Sequence, residues 1–415
     1  MRILILQDDF PPRHIGGSGS IAYASAQELR KRGHEILVVT AVQDARLVGT
    51  TTYEGIPVHN IFALYSKRFN AYMCLWNLSA VRTLKKIITS FKPDVVHAHS
   101  VNGYLSYASL VAAKKSGARV VLTCHDVMAF NYSKLTEFID PQDTAVRERY
   151  DYRVSAWRQL RESRFRYNPL RNILIRHIIR ADVDALTAVS DALRQALAAN
   201  GLPGAKVIHN GIDVRAWEPD AERDRAFKEK HGLGDAVILF GGRISGIKGT
   251  DKILDALAKV RTQVPDVQLL VIAKESPSLA RMHTQARERG VEEALVTPGW
   301  LSGNDLKAAY YASAVVAVPT LSFDSFPTMN LEAFACKKPV VATCFGGSRE
   351  LVEDGISGFI VNPYDVPSLA GRFRELLGDR EKRARFGAAG YEKVVAEFTL
   401  GKQAELFEER YQGVC

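Results

Sequence analysis

Apolar residues in the first half of the chain come in short runs separated by stretches of helical periodicity. Residues 2–7 (RILILQ) form a run of strand length. A glycine-rich loop, Gly16-Gly17-Ser18-Gly19, leads to a helix predicted over 20–32, which Gly33 ends as a C-cap. Runs at 35–40, 95–98 and 119–124 read as further strands, with helices over 77–91 and 104–116 and a cap at Gly117. Strand and helix in this alternation build a parallel sheet covered by helices on both faces. Residues 129–168 break the rhythm, being rich in Arg and aromatics without clear strand pattern. Leu170, Ile173, Leu174 and Ile178 then fall at helical spacing, interleaved with Arg171, Arg176 and Arg180. Strands at 185–189 and 206–208 close the first sheet.

A turn at Asn210-Gly211-Ile212-Asp213 and a polar stretch, 217–234, mark a linker. A second series follows, with strands at 237–241, 267–272, 294–297, 315–319, 340–343 and 358–361. Helices such as 250–264 and 306–312 lie between them, and a last helical region covers 383–411. The expected fold is therefore α/β, with two doubly wound Rossmann-like domains, 1–213 and 214–395. Residues 396–415 form a terminal helix able to pack back on the first domain. Open sheets of this kind bind ligands beyond the carboxyl ends of their strands, so an interdomain cleft is the expected site.

Bulk composition narrows the class. A chain of 415 residues exceeds one ordinary core, and 47% hydrophobic with 24% charged residues is the balance of a soluble protein. The first apolar run ends at Gln7-Asp8-Asp9, so it reads as a strand rather than a signal peptide, and no run reaches membrane-spanning length. Five scattered cysteines without a C-x-x-C point away from disulfides and zinc and fit a reducing cytoplasm. The net charge is +9, and residues 147–180 alone carry ten Arg against Glu148, Asp151 and Glu162. A local basic patch calls for a local anionic partner rather than for nucleic acid.

Two stretches carry candidate chemistry. In Asp324-Ser325-Phe326-Pro327-Thr328-Met329-Asn330-Leu331-Glu332-Ala333, two carboxylates flank a helix start. Pro327 suits the first turn, and the amides of Thr328, Met329 and Asn330 would face out of a helix end that attracts anions. Alone, the stretch reads rather as a surface loop acid and an exposed helix Glu. The second, Gly241-Gly242-Arg243-Ile244-Ser245-Gly246-Ile247-Lys248-Gly249, follows a strand and precedes a helix. Its glycines admit close approach of a ligand, and Arg243 and Lys248 supply two cations.

Taken in order, these motifs resemble the retaining GT-B glycosyltransferases of family 4. Gly16-Gly17, Thr123-Cys124-His125-Asp126, Ala188-Val189-Ser190, Asn210-Gly211-Ile212-Asp213, Gly242-Arg243 with Lys248-Gly249, Asp324 to Glu332, and Gly346-Gly347 span almost the whole chain. The resemblance implies transfer of a hexose from a UDP- or GDP-sugar, with retention and no metal or other cofactor. It implies that Arg243 and Lys248 offset the leaving diphosphate. Glu332 would accept from ribose hydroxyls, Asp324 from the sugar, and the amides near Thr328 and Met329 would meet phosphate or sugar oxygens. Gly17 would close over the diphosphate and His125 would sit beside the sugar, while the departing phosphate itself can take the acceptor proton.

Three departures stand out. Asp324 replaces the common Glu, Lys337 the common Gly, and Ala273-Lys274-Glu275 a common Gly-x-Gly turn, which sets Lys274 in reach of the nucleotide. The acceptor is expected to be a glycan or lipid-linked saccharide of polysaccharide biosynthesis, with the protein in the cytoplasm. Residues 147–180 then read either as a peripheral contact with anionic membrane or as a solvated helical excursion. A rival reading is a catalytically silent nucleotide-sugar-binding partner subunit. Nucleic-acid binding lacks a recognition motif.

Overall fold

The computed structural model describes residues 1–13 and 16–413; Cys415, the fifth of the scattered cysteines, lies outside the described residues. The chain divides into two compact units. The first comprises 1–138, 151–211 and 400–415, the second 139–150 and 212–399.

Among its described residues the first unit holds one sheet in the order β3-β4-β2-β1-β5-β6-β7-β8. These strands are β1 (Arg2–Gln7), β2 (Glu35–Val42), β3 (Gly49–Tyr53), β4 (Ile56–Phe62), β5 (Val95–Ser100), β6 (Arg119–Cys124), β7 (Ala185–Ala188) and β8 (Lys206–Val207). All pair in parallel except β3 with β4, a hairpin turned by Glu54 and Gly55, both at positive φ. The central strands are apolar on both faces because helices cover both; β1 buries Ile3 to Leu6 completely. The helix predicted over 20–32 begins earlier, spanning Gly17–Lys31 with Gly16 as its N-cap. Much of the expected glycine loop is thus the first helical turn, which Gly tolerates at modest cost.

The second unit orders its strands β11-β10-β9-β12-β13-β14, all parallel. They are β9 (Val237–Gly241), β10 (Gln268–Ile272), β11 (Leu295–Gly299), β12 (Val315–Val318), β13 (Val340–Thr343) and β14 (Gly358–Val361). Counted within the unit, this is the 3-2-1-4-5-6 order of a dinucleotide-binding fold, and its reversal falls between β9 and β12.

Three expectations about organisation change. The polar stretch 217–234 contains the helix Ala221–His231, capped by the Asp220 carboxylate at one end and by Gly232 at the other. It buries only Phe227, so its periodicity is invisible against a polar background. The last helical region splits at Phe398. Arg380–Glu397 belongs to the second unit and Leu400–Gln412 to the first, where Ala404, Phe407 and Tyr411 enter the core. Finally, residues 139–150 do not stay with the rest of the 129–168 insertion; they form part of the second unit.

Candidate active site

The second unit concentrates its candidate residues at the mouth between β9 and β12. β9 ends at Gly241, and the chain turns through Gly242, Arg243 and a short 3-10 turn, Gly246–Lys248, into the helix Thr250–Arg261. Gly249 is held at φ 82°, and a Cβ there would lie 2.0 Å from the Pro319 carbonyl oxygen. Only glycine lets this loop lie so close to the end of β12. The contact is reinforced where the Leu321 amide donates to the Ile247 carbonyl at 2.7 Å.

That closeness brings Lys248 to Asp324. The Lys248 Nζ donates to Asp324 Oδ2 at 3.0 Å, and Thr320 Oγ1 donates to the same oxygen at 3.2 Å. The pair is partly sheltered, with Asp324 15% and Lys248 35% exposed in their side chains. Asp324 is positioned by its backbone: its amide donates to Phe345 O and its carbonyl accepts from the Gly347 amide, each at 2.9 Å. Gly346, at φ 115°, would place a Cβ 2.1 Å from the Asp324 carbonyl, so the Gly346-Gly347 pair is what admits this docking. Arg243 stands exposed on the same loop as Lys248, with no acidic partner among the described residues.

The helix Thr328–Ala335 opens with Pro327 as its N-cap rather than in its first turn. The Asn330 amide donates to the Pro327 carbonyl at 3.1 Å, so of the three amides expected to be open, Thr328 and Met329 remain. Both residues are half-buried, and Met329 lies against Gly241. One turn on, Glu332 accepts a hydrogen bond from the Tyr310 hydroxyl at 2.5 Å. Burial raises the Glu332 pKa, and hydrogen bonds from Tyr310 and the Thr328 side chain oppose that rise. Tyr310, whose ring packs edge-on to Trp217 at 5.6 Å, was not singled out in the sequence. Its only signal there is a Tyr pair near a helix end.

The strap 139–150 braces this region from within the second unit. Asn362 Nδ2 donates to the carbonyls of Asp143 and Ala145, and Arg349 Nη2 to that of Arg147. The Tyr150 hydroxyl meets Cys344 Sγ at 3.1 Å, and its ring packs on Phe345, whose carbonyl holds the Asp324 amide. Lys337, where glycine is common, sits at φ 54°, which accounts for that glycine. Lys274 lies over the Trp300 ring at 5.4 Å.

In the first unit, Gly17 is exposed at the start of its helix, and His125 follows β6. His125 Nε2 lies 3.0 Å from His99 Nδ1, and burial pushes the His125 pKa down to about 4. His97 Nδ1 meets the Tyr411 hydroxyl and its Nε2 the Thr123 hydroxyl, both at 2.7 Å. Ser190 caps a helix by accepting from the Leu193 amide, a structural role. The basic segment is less free than its charge implies. Arg147, Arg153 and Arg158 pair with nearby acids, Arg180 donates to a backbone carbonyl, and Arg171 is buried against the Met128 carbonyl.

Two family models match this chain, "Glycosyltransferase Family 4" over residues 15–216 and "Glycosyl transferases group 1" over 222–393. The chain is 27% identical to a Mycobacterium tuberculosis protein named glycogen synthase, covering 96% of this chain and 91% of that one. A GDP-mannose-dependent alpha-(1-6)-phosphatidylinositol monomannoside mannosyltransferase of Mycolicibacterium smegmatis is 32% identical over 50% of this chain and 57% of its own length. Among solved structures, Anabaena Alr3699/HepE in complex with UDP superposes with a TM-score of 0.72 at 20% identity, covering 100% of both chains. Sucrose-phosphate synthase from Thermosynechococcus elongatus gives 0.79 at 18% identity, covering 99% and 98%. With two parallel-sheet units, these matches and this site, the chain belongs to the GT-B glycosyltransferases of family 4, enzymes that take their sugar from a nucleotide-sugar donor.

Proposed function

We propose that the protein transfers a hexose from a UDP- or GDP-sugar with retention of anomeric configuration and without a metal. The observation that carries this reading is the Lys248–Asp324 pair at the β9/β12 reversal, one helix end away from Glu332. A donor diphosphate entering beside Lys248 competes with Asp324 for the ammonium group. It thereby frees Asp324 to accept from sugar hydroxyls. Arg243 adds a second cation, and the Thr328 and Met329 amides add the positive end of a helix dipole. As the C1–O bond to phosphate breaks, charge gathers on the leaving oxygen, and these groups stabilise it. The bond from C1 to the acceptor oxygen forms on the same face, and the acceptor proton passes to the departing phosphate. Glu332, held by Tyr310, takes the ribose hydroxyls. Gly17 lets backbone approach a phosphate, and His125 hydrogen-bonds a sugar substrate. Among the described residues no group of three His, Cys, Asp or Glu side chains is arranged to hold a metal ion.

For the acceptor, the proposal is a lipid-linked saccharide, reached by peripheral contact with an anionic membrane. Its support is a stretch where Trp157, Leu170 and Ile173 are 73%, 59% and 54% exposed, interspersed with exposed Arg161, Arg164 and Arg166. No helix among the described residues is long and apolar enough to cross a membrane. The test is product analysis by 1H NMR with each donor in the presence of EDTA. An α-linked product from an α-linked donor, formed at an undiminished rate, is expected. An inverted product, or loss of turnover restored by a divalent cation, would overturn the proposal. Salt-sensitive cosedimentation with anionic liposomes tests the membrane part.

A further inference from the structure

His97 and His99 project from the same face of β5, two residues apart, and each meets a residue of the neighbouring strand or its end. His97 is paired with Thr123 and His99 with His125, so the two contacts are rungs of one ladder. The rings lie close: His97 to His99 centroids are 4.1 Å apart, His99 to His125 5.2 Å and nearly parallel. Phe407 packs its edge against His97 and His99. His97 has hydroxyl partners on both nitrogens, Tyr411 and Thr123, so either of its tautomers is satisfied.

His99 differs. It is 2% exposed, and its Nε2 has no hydrogen-bond partner among the described residues. Burial holds both His99 and His125 well below the usual imidazole pKa, so both rings are neutral at pH 7. A 3.0 Å contact between two neutral imidazole nitrogens needs one proton between them. If His125 Nε2 supplied that proton, neutral His99 would carry its own on Nε2, leaving a buried N–H with no acceptor. Orphaned buried N–H groups are the rarer and costlier outcome. If His99 Nδ1 supplies it, Nε2 is only an unused lone pair. His125 then accepts at Nε2 and carries its proton on Nδ1, the nitrogen that makes no hydrogen bond to the described residues.

We infer that His99 is a positioning residue whose Nδ1–H donates to His125 Nε2 and fixes His125 as the Nδ1–H tautomer. His125 therefore meets a sugar hydroxyl or ring oxygen as a hydrogen-bond donor, and this nitrogen does not act as a base. The consequence for substrate rests on the proposed contact of His125 with a sugar; the tautomer does not.

The test is two-bond 1H–15N NMR of the full-length protein labelled at histidine, which reports the protonated nitrogen of each ring. His125 resonances are assigned by their loss in His125→Gln. The wild type is expected to show His125 protonated at Nδ1. His99→Asn keeps an amide donor near the Nδ1 position and should preserve that tautomer. His99→Phe keeps a ring but no donor and should give a His125 that is protonated at Nε2 or mixed. In turnover, His99→Phe should lower kcat about 10- to 100-fold with little change in donor KM, the scale on which a misplaced catalytic contact acts, and His99→Asn should restore most of it. A wild-type His125 protonated at Nε2, or a His99→Phe spectrum with unchanged tautomer, overturns the inference. If the tautomer behaves as expected but His125→Gln turns over like wild type, the pairing stands and the sugar contact of His125 is what fails.

Discussion

Single side chains decide the proposed donor site. Lys248 and Asp324 neutralise each other across 3.0 Å in a partly sheltered position, so removing one takes away the other's charge partner. Lys248→Ala should reduce kcat/KM by an amount equivalent to ~2–5 kcal/mol, the scale for truncating one partner of a hydrogen-bonded charge pair, measured by steady-state kinetics on the preferred donor. An unchanged value would remove Lys248 from the site. Tyr310→Phe takes a hydrogen bond from Glu332, and nucleotide affinity should weaken by ~1–3 kcal/mol when measured by calorimetry, with the fold retained. Arg243, Lys248, Asp324 and Glu332 were singled out in the sequence through the ordered set of motifs, since each stretch alone has an ordinary structural explanation, and the structure brings Lys248 and Asp324 together. Tyr310 and His99 were not. Both act through another residue, and a buried Tyr or His on an apolar element looks the same in sequence whether or not it holds a partner in place.

Elements show where periodicity suffices and where it fails. The strands that line the site were read from apolar runs because helices bury both of their faces. The hairpin of β3 and β4 was missed: β3 is exposed almost throughout, and its turn is Glu-Gly rather than Asn-Gly. The strap 139–150 was equally illegible, since it is held by backbone carbonyls that any sequence supplies. Asn362→Ala removes the donor to two of those carbonyls, and it should lower donor affinity more than it lowers thermal stability, because the strap braces the Asp324 loop through Phe345. Paired titration and thermal melts would read both. The histidine ladder makes an element-scale prediction about pH. His97 and His125 are pushed from the usual 6.5 down to about 3 and about 4. Below pH 6.5 the unfolded chain therefore binds protons that the folded rings refuse, so acid favours unfolding. The stability is complete above pH 6.5 and falls as pH drops towards 4. Tm against pH should slope less steeply over that window in His125→Gln than in wild type.

At the scale of the whole chain, sequence order and structural membership part company. Two doubly wound units were legible from the alternation of strand and helix, but the chain passes from one unit to the other at 138/139, 150/151, 211/212 and 399/400. Only the third falls at the Asn-Gly turn read as a linker. The final passage gives the first unit its terminal helix, which buries Phe407 and Tyr411 and pairs Tyr411 with His97. Truncation after residue 399 should therefore destabilise the first unit rather than trim a tail. Loss of soluble, cooperatively melting protein would show it, and an unchanged melt would contradict it. The net charge of +9 likewise misleads if taken as one surface, because residues 147–150 and 151–180 belong to different units and several of their Arg side chains are paired.

The central claim, that the β9/β12 mouth binds a nucleotide sugar through Lys248 and Glu332, is tested most directly by a thermal-shift titration. Wild type, Lys248→Ala and Glu332→Ala would each be titrated with UDP, GDP, ADP and TDP and their hexose conjugates in EDTA. A ligand at a hundred times its Kd adds about 2.7 kcal/mol of apparent stability. The account predicts a clear shift with one nucleotide family for wild type and a much smaller one for both variants. No shift with any nucleotide, or shifts equal in all three proteins, would contradict it.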